Sequence, residues 1–142
     1  MTTITFTVPG PPIAKGRPIA STFGGRVRMR TPDKTLRYEA QVAIFAQQAM
    51  AAAGHAPVAG PVFVQATAVF PVPASWSKRK QAAALAGEVY PTGRPDADNI
   101  GKSLDGANGI VWLDDAQIVD LRVRKRYGAV PQLHVSVTWT LP

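Results

Sequence analysis

Cysteine is absent from this sequence. That excludes disulfide bridges, thiol nucleophiles and the usual cysteine-based zinc sites together. Histidine is scarce: His55 lies in a Gly-His-Ala-Pro loop and His134 on the polar face of the last alternating segment. Isolated histidines are more often structural than catalytic, and no Ser or His neighbourhood suggests a nucleophilic triad. No apolar run approaches the roughly 18 residues of a membrane helix. The opening Met1-Thr-Thr-Ile-Thr-Phe lacks the basic and apolar regions of a signal peptide. A soluble cytoplasmic protein with no membrane partner is therefore expected. Acidic residues are also few, nine against sixteen Lys and Arg, for a net charge of +7. Such an excess implies an anionic partner, although charge alone does not separate DNA from RNA or a membrane surface. The 142 residues suffice for one domain, spanning 1–142, with a real core.

The few acids are not spread evenly. Asp96, Asp98, Asp105, Asp114, Asp115 and Asp120 all fall between Arg94 and Asp120. Carboxylate oxygens are what hard divalent cations such as Mg²⁺ require, and a polyanionic substrate requires a basic surround. Negative charge concentrated inside a positive chain points to metal-assisted chemistry on nucleic acid.

Local patterns place this segment within a mixed α/β fold. Residues 3–8 alternate Thr with Ile4, Phe6 and Val8, as a half-buried strand does. An open basic loop with Lys15 and Arg17 follows. Gly24-Gly25 marks a hairpin turn, after which Arg26, Arg28 and Arg30 share one face of a short strand. That stripe serves equally as a charge-protected edge or as a phosphate contact. Asp33 is expected to cap a helix running to about Ala53 and stopping at Gly54. Its apolar surface extends far round the helix, so a partner subunit and a central core position are both open readings. Residues 61–70 look like a central strand, apolar on both faces. Ser75 or Ser77 starts a short helix over 78–86, where Lys78-Arg79-Lys80 reads as a solvated face. Residues 99–108 read as a helix weakened by Gly101 and Gly106. A strand over 117–126 puts Val119, Leu121 and Val123 on one face and Asp120, Arg122, Arg124 and Arg126 on the other. Leu133, Val135, Val137 and Trp139 make a last alternating strand. The expected architecture is a single-domain mixed β-sheet with interspersed helices.

Three motifs touch the acidic segment, and two fail. Asp96-Ala-Asp98-Asn99-Ile-Gly101 begins like an EF-hand loop, but the required glutamate position holds Ala107. Gly101-Lys102-Ser103 resembles the end of a phosphate-binding loop, whose first glycine is replaced here by Asp96, a carboxylate that would repel phosphate. The third reading is a carboxylate metal site. Asp96 and Asp98 flank one residue and point the same way if the backbone there is extended. Lys102 lies one helical turn beyond Asp98. Helix capping would use one of Asp96, Asp98 and Asn99 and leaves the surplus unexplained. For Asp114 and Asp115 an ordinary surface turn is the competing reading.

The pattern Arg94-Pro-Asp-Ala-Asp-Asn, Lys102, Asn108-Gly-Ile-Val-Trp and Asp114-Asp-Ala-Gln-Ile-Val-Asp, followed by a basic strand, resembles the RusA family. These are small bacterial and prophage endodeoxyribonucleases that resolve Holliday junctions. Val8-Pro-Gly-Pro-Pro and Lys15-Gly-Arg17-Pro resemble the family's N-terminal strand and loop, so the likeness covers nearly the whole chain. It implies a homodimeric, Mg²⁺-dependent resolvase of branched DNA. Asp96, Asp98 and Asp115 would be the metal-binding and catalytic carboxylates, and Lys102 the catalytic lysine. Asp114 takes a weaker neighbouring role. The stretch from Lys102 to Trp112 is shorter and richer in glycine than the family pattern, which leaves Asp105 without an assigned role. The basic residues Lys15, Arg17, Arg26, Arg28, Arg30, Arg122, Arg124 and Arg126 would hold phosphates without reading bases. Two rival readings are a non-catalytic nucleic-acid-binding module and a metal-dependent nuclease acting on flaps, forks or RNA.

Overall fold

The computed structural model describes residues 1–141. In chain order it contains β1 (Thr2–Pro9), β2 (Ile19–Phe23), β3 (Arg26–Arg30), α1 (Asp33–Ala53), β4 (Val62–Phe70), α2 (Lys78–Leu85), α3 (Ala97–Lys102), β5 (Ile118–Tyr127) and β6 (Gln132–Trp139). Two 3₁₀ turns, Ser103–Ala107 and Asp115–Gln117, lie between α3 and β5. The alternating segments become a four-stranded sheet in the order β1-β6-β4-β5, and β2 and β3 form a separate two-stranded ribbon.

The sheet is mixed, as expected. β4 runs antiparallel to β6 and parallel to β5. A parallel pair cannot be closed by a tight turn, so the chain must cross over between β4 and β5. That crossover carries α2, α3, both 3₁₀ turns and every acid from Asp96 to Asp115. The topology therefore delivers the acidic segment to the start of β5, the sheet edge.

Period-two alternation buries one face of the sheet. Ile4, Phe6 and Val8 from β1, Leu133, Val135 and Val137 from β6, and Val62, Val64 and Ala66 from β4 all sit in the core. On α1 the inward residues Tyr38, Val42, Ala46 and Met50 recur every four positions and pack into the same cluster. Each such aliphatic side chain contributes about 1.5–3 kcal/mol through burial.

Four local expectations change. Asp33 does not cap α1: Pro32 occupies the N-cap position, Asp33 is the first helical residue, and Arg30 approaches it at 3.6 Å. A carboxylate in the first turn still complements the helix dipole. β4 is central, but its second face is open at Phe63 and Gln65, which point outward and are exposed, and is buried only at Val69, beside Gly128. The helix expected over 99–108 is divided into α3 and a tighter 3₁₀ turn. The 3₁₀ turn packs closely on α1: a Cβ on Gly106 would stand 2.3 Å from the Glu39 carbonyl oxygen. Only glycine lets the two backbones meet there. The last change concerns the start of β5, where the pairing shifts register between Val62 and Phe63. Val119 is passed over in that pairing and left 60% exposed. Asp120 shares a face with Arg122, Arg124 and Arg126, and Leu121 and Val123 turn towards α3, as alternation expects.

Candidate active site

The short helix α3 is the pivot of the acidic segment. Its inward residue Ile100 is fully buried. On its β5 side, Gly101 lets the helix settle within 3.1 Å of Leu121, measured to the position a Cβ would take. Asp98 and Lys102 then project outward one turn apart, with Nζ of Lys102 3.4 Å from Oδ2 of Asp98. Both are largely exposed, so this pair adds little stability. Its relevance is chemical: an ammonium and a carboxylate are held side by side at the mouth of a cavity.

That cavity, of about 270 Å³, lies between α3, the first 3₁₀ turn and the start of β5. Asp98, Lys102, Asp105 and Asp115 line its polar walls, and Leu104, Trp112, Ile118 and Leu121 supply apolar surface. Trp112 is fully buried and donates its indole N–H to Oδ1 of Asn108, which anchors the loop before Asp114.

The adjacent acids Asp114 and Asp115 play different parts. Asp114 caps the second 3₁₀ turn in a reciprocal box: its carboxylate accepts from the Ala116 amide, and its own amide donates to Oε1 of Gln117. The Gln117 amide group also donates to the carbonyls of Val58 and Gly60, which ties this turn to the loop before β4. With Asp114 spent on the cap, Asp115 faces the cavity. A hydrogen bond shared with the Asp114 carboxyl, with the charge of Asp105 adding to it, holds Asp115 above the ordinary aspartate range. Crowded carboxylates of this kind are relieved by a cation.

Asp96 does not join this group. The resemblance implies Asp96, Asp98 and Asp115 around one ion, and extended backbone at 96–98 would align the first two. Instead the helix begins at Ala97. Asp96 stays extended at φ −70° and ψ 150°, whereas Asp98 lies in the first helical turn. Spacing by two therefore no longer means a shared direction. Asp96 opens onto a second cavity of about 300 Å³, lined also by Lys15, Arg17, Arg94 and Asn99. Its side chain makes no capping hydrogen bond. Among the described residues no three His, Cys, Asp or Glu side chains converge on a single point.

Lys15 is the larger surprise. Expected as a phosphate contact, its ammonium donates to Oδ2 of Asp105 at 2.7 Å and lies 3.4 Å from Oε1 of Glu39 on α1. The Asp105 hydrogen bond is the main reason its pKa is raised. Its backbone amide donates to the Asn99 carbonyl at 3.3 Å, and the next amide, Gly16, donates to Oγ1 of Thr35 at 2.8 Å. One dipeptide thus fastens the N-terminal loop to α3, to the first 3₁₀ turn and to α1. Neither Asp105 nor Glu39 stands out in sequence as a partner, because both lie far from Lys15 along the chain.

The arginines of β3 and β5 lie outside the two cavities. Arg26, Arg28 and Arg30 are exposed on the β2–β3 ribbon, which turns through the left-handed pair Gly24-Gly25. Arg122, Arg124 and Arg126 are exposed on the open sheet face, with Arg122 3.5 Å from Asp120. Arg94, which sequence patterning left out, lines the second cavity beside Arg17. Its place two residues before Asp96 was the available signal. Both histidines are engaged in packing: His55 stands edge-on to Trp139 with ring centroids 5.2 Å apart, and Nδ1 of His134 is 2.9 Å from Oγ1 of Thr7.

Comparison with known proteins identifies relatives of the whole chain. The chain is 38% identical over 143 residues to the uncharacterized protein YqaN of Bacillus subtilis (strain 168), with 96% of each chain covered. The family model described as endodeoxyribonuclease RusA matches residues 9–138, from the end of β1 nearly to the end of β6, and both cavities lie inside that span. The chain therefore belongs to the RusA endodeoxyribonuclease family.

Proposed function

We propose that this protein is a Mg²⁺-dependent, structure-selective endonuclease that resolves four-way DNA junctions as a homodimer, by hydrolysis of a backbone P–O bond in each of two strands. The observation that carries the reading is the acidic cavity, where Asp98, Asp105 and Asp115 gather beside Lys102 in a chain of net charge +7. The residues fit the ion. Mg²⁺ is usually held by one or two carboxylates with water completing its octahedron, so a closed cage of three is not required. Asp98 and Asp115 would hold it, while Asp96 faces the adjoining basic cavity. Bound there, Mg²⁺ supplies an activated water and neutralises charge on the phosphate under attack.

The chain's own side chains do the rest. Lys102 sets a fixed positive charge beside Asp98, where charge develops on the phosphate. Arg17 and Arg94 present guanidinium groups to the strand entering the second cavity. The exposed arginines of β3 and β5 hold flanking phosphates without reading bases.

The dimer rests on symmetry and on α1. A four-way junction has near two-fold symmetry, which a C₂ pair of identical sites matches. Leu36 and Ile44, on the outer side of α1, are 52% and 51% exposed, an apolar stripe that a second copy would cover. Labelled four-way, flap and linear substrates, with and without Mg²⁺, test the activity. Paired nicks in the four-way substrate alone are expected, and equal cutting of linear duplex overturns the junction assignment. Light scattering at micromolar concentration tests the assembly, where a fully active species near 15 kDa removes the dimer.

A further inference from the structure

A second basic concavity lies at the far end of β5 from the acids. It has a volume of about 520 Å³ and runs between the sheet edge and the loop after α2, walled by Leu85, Tyr90, Arg124, Lys125, Arg126 and Tyr127. Because β5 is the edge strand, side chains from both of its faces reach round to this hollow.

Its side chains are not equivalent. Tyr127 stands edge-on to Trp76 with centroids 5.2 Å apart, and Trp76 is itself covered by the Lys80 ammonium at 3.9 Å. Lys125 donates to the Gly93 carbonyl at 2.6 Å, so it ties the loop bearing Tyr90 to the sheet. These contacts explain the walls. They do not explain Tyr90, which lines the hollow and is 63% exposed, nor the exposed Arg124 and Arg126. Among the described residues neither arginine has an acidic partner within ion-pair distance.

An exposed aromatic ring and flanking cations around one hollow together match one chemical object, a nucleotide whose base is out of the stack. The base lies on the ring and the neighbouring phosphates meet the guanidinium groups. Continuous duplex offers no such base, because each face is covered by the next pair. A free face arises where strands part or exchange. The cavity therefore provides what the arginine stripes lack, discrimination between branched and continuous DNA.

We propose that this cavity binds an unstacked nucleotide of branched DNA, with Tyr90 as the stacking platform and Arg124 and Arg126 as the phosphate contacts. The proposal rests on the endonuclease reading and deepens it. Leu121 lines the acidic cavity and Lys125 this one. They are about 13 Å apart along the strand, a separation spanned by a few nucleotides at about 3.4 Å of rise each. Binding the branch here would set which phosphate reaches the acids.

The test uses the whole protein without divalent metal, so that binding is read apart from cleavage. A four-way junction carries 2-aminopurine at the branch point, and a linear duplex carries it at an internal pair. Wild-type protein is expected to quench the branch-point fluorophore only. Tyr90→Ala should abolish the quench and weaken junction binding about tenfold, the order of one lost base stack, with linear binding kept within about twofold. Tyr90→Phe should retain both, because stacking needs the ring and not the hydroxyl. An unchanged quench and affinity in Tyr90→Ala overturn the pocket, as does an equal loss on both DNAs. If that variant is unaltered while the wild type still cleaves junctions with Mg²⁺, the pocket alone fails. If the wild type binds neither DNA, the endonuclease reading fails with it.

Discussion

Two cavities flank α3, and their charges are opposite. One sets Asp98, Asp105 and Asp115 against Lys102, and the other sets Lys15, Arg17 and Arg94 against Asp96. Three acids face one base on the first side, and three bases face one acid on the second. A cation is drawn to the first and a phosphate backbone to the second. The contrast teaches that the acidic segment is not a uniform negative patch. Its helix divides two environments that a metal-assisted nuclease needs next to each other. Lys15 joins them, since it lines the basic side and its ammonium reaches Asp105, which lines the acidic side.

Removing one acid should have the largest effect. Asp98→Asn is expected to lower Mg²⁺-dependent junction cleavage about 10³-fold, the several kcal/mol of transition-state stabilisation a positioned metal supplies. Binding measured in chelator should stay equal or tighten, because a charge near phosphate is lost. Cleavage at the wild-type rate would remove the acidic cavity from the reaction.

Lys15 separates the two sides more finely. Lys15→Ala leaves Asp105 and Glu39 without their cation and loosens the loop against α3. Turnover at saturating DNA should fall about tenfold or more, as misplacement of a catalytic group does. Thermal stability should fall by about 1–2 kcal/mol, with Lys15→Arg restoring part of both. Unchanged turnover with a flatter salt dependence would instead make Lys15 a phosphate contact, as its sequence context suggests.

The basic side is sharpened by Arg17→Ala and Arg94→Ala. Each should weaken binding to all sequences alike and lower the slope of log K against log salt by about 0.9. A sequence-selective loss with the slope intact would mean that these residues read bases.

The smallest effect concerns the core that both cavities share. Burial pushes the Tyr38 hydroxyl up to about 12 from an ordinary value of 10.0. The unfolded chain therefore releases this proton at lower pH than the native one does. Stability from keeping Tyr38 neutral is complete below about pH 10 and is lost as pH rises towards 12. Tyr38→Phe should flatten that alkaline loss in denaturant titrations, while the wild-type slope in the variant would trace it to other groups.

Much of this was readable in the chain. Alternation located β1, β5 and β6 within a residue or two, and Gly24-Gly25 located the hairpin, because these signals are local. The crowding of acids between Arg94 and Asp120 marked the segment that lines the two cavities beside α3, and the motif pattern named the family. Other features were not local. The seat of Gly106 against the Glu39 backbone and the exposure of Phe63 depend on which elements pack together in space.

By itself the sequence determined the strands and the long helix, the buried faces of β1 and β6, the basic surplus and the identity of the acids. Periodicity, turn chemistry and charge are properties of neighbours along the chain. Tertiary structure alone decided which charges meet. It parted Asp96 from Asp98 where helix begins at Ala97, gave Asp114 to a cap and left Asp115 facing the cavity. It also turned Lys15 from solvent to Asp105, a residue 90 positions away. Ionic contact acts over a few ångströms of space, and only the fold converts distance along the chain into that proximity.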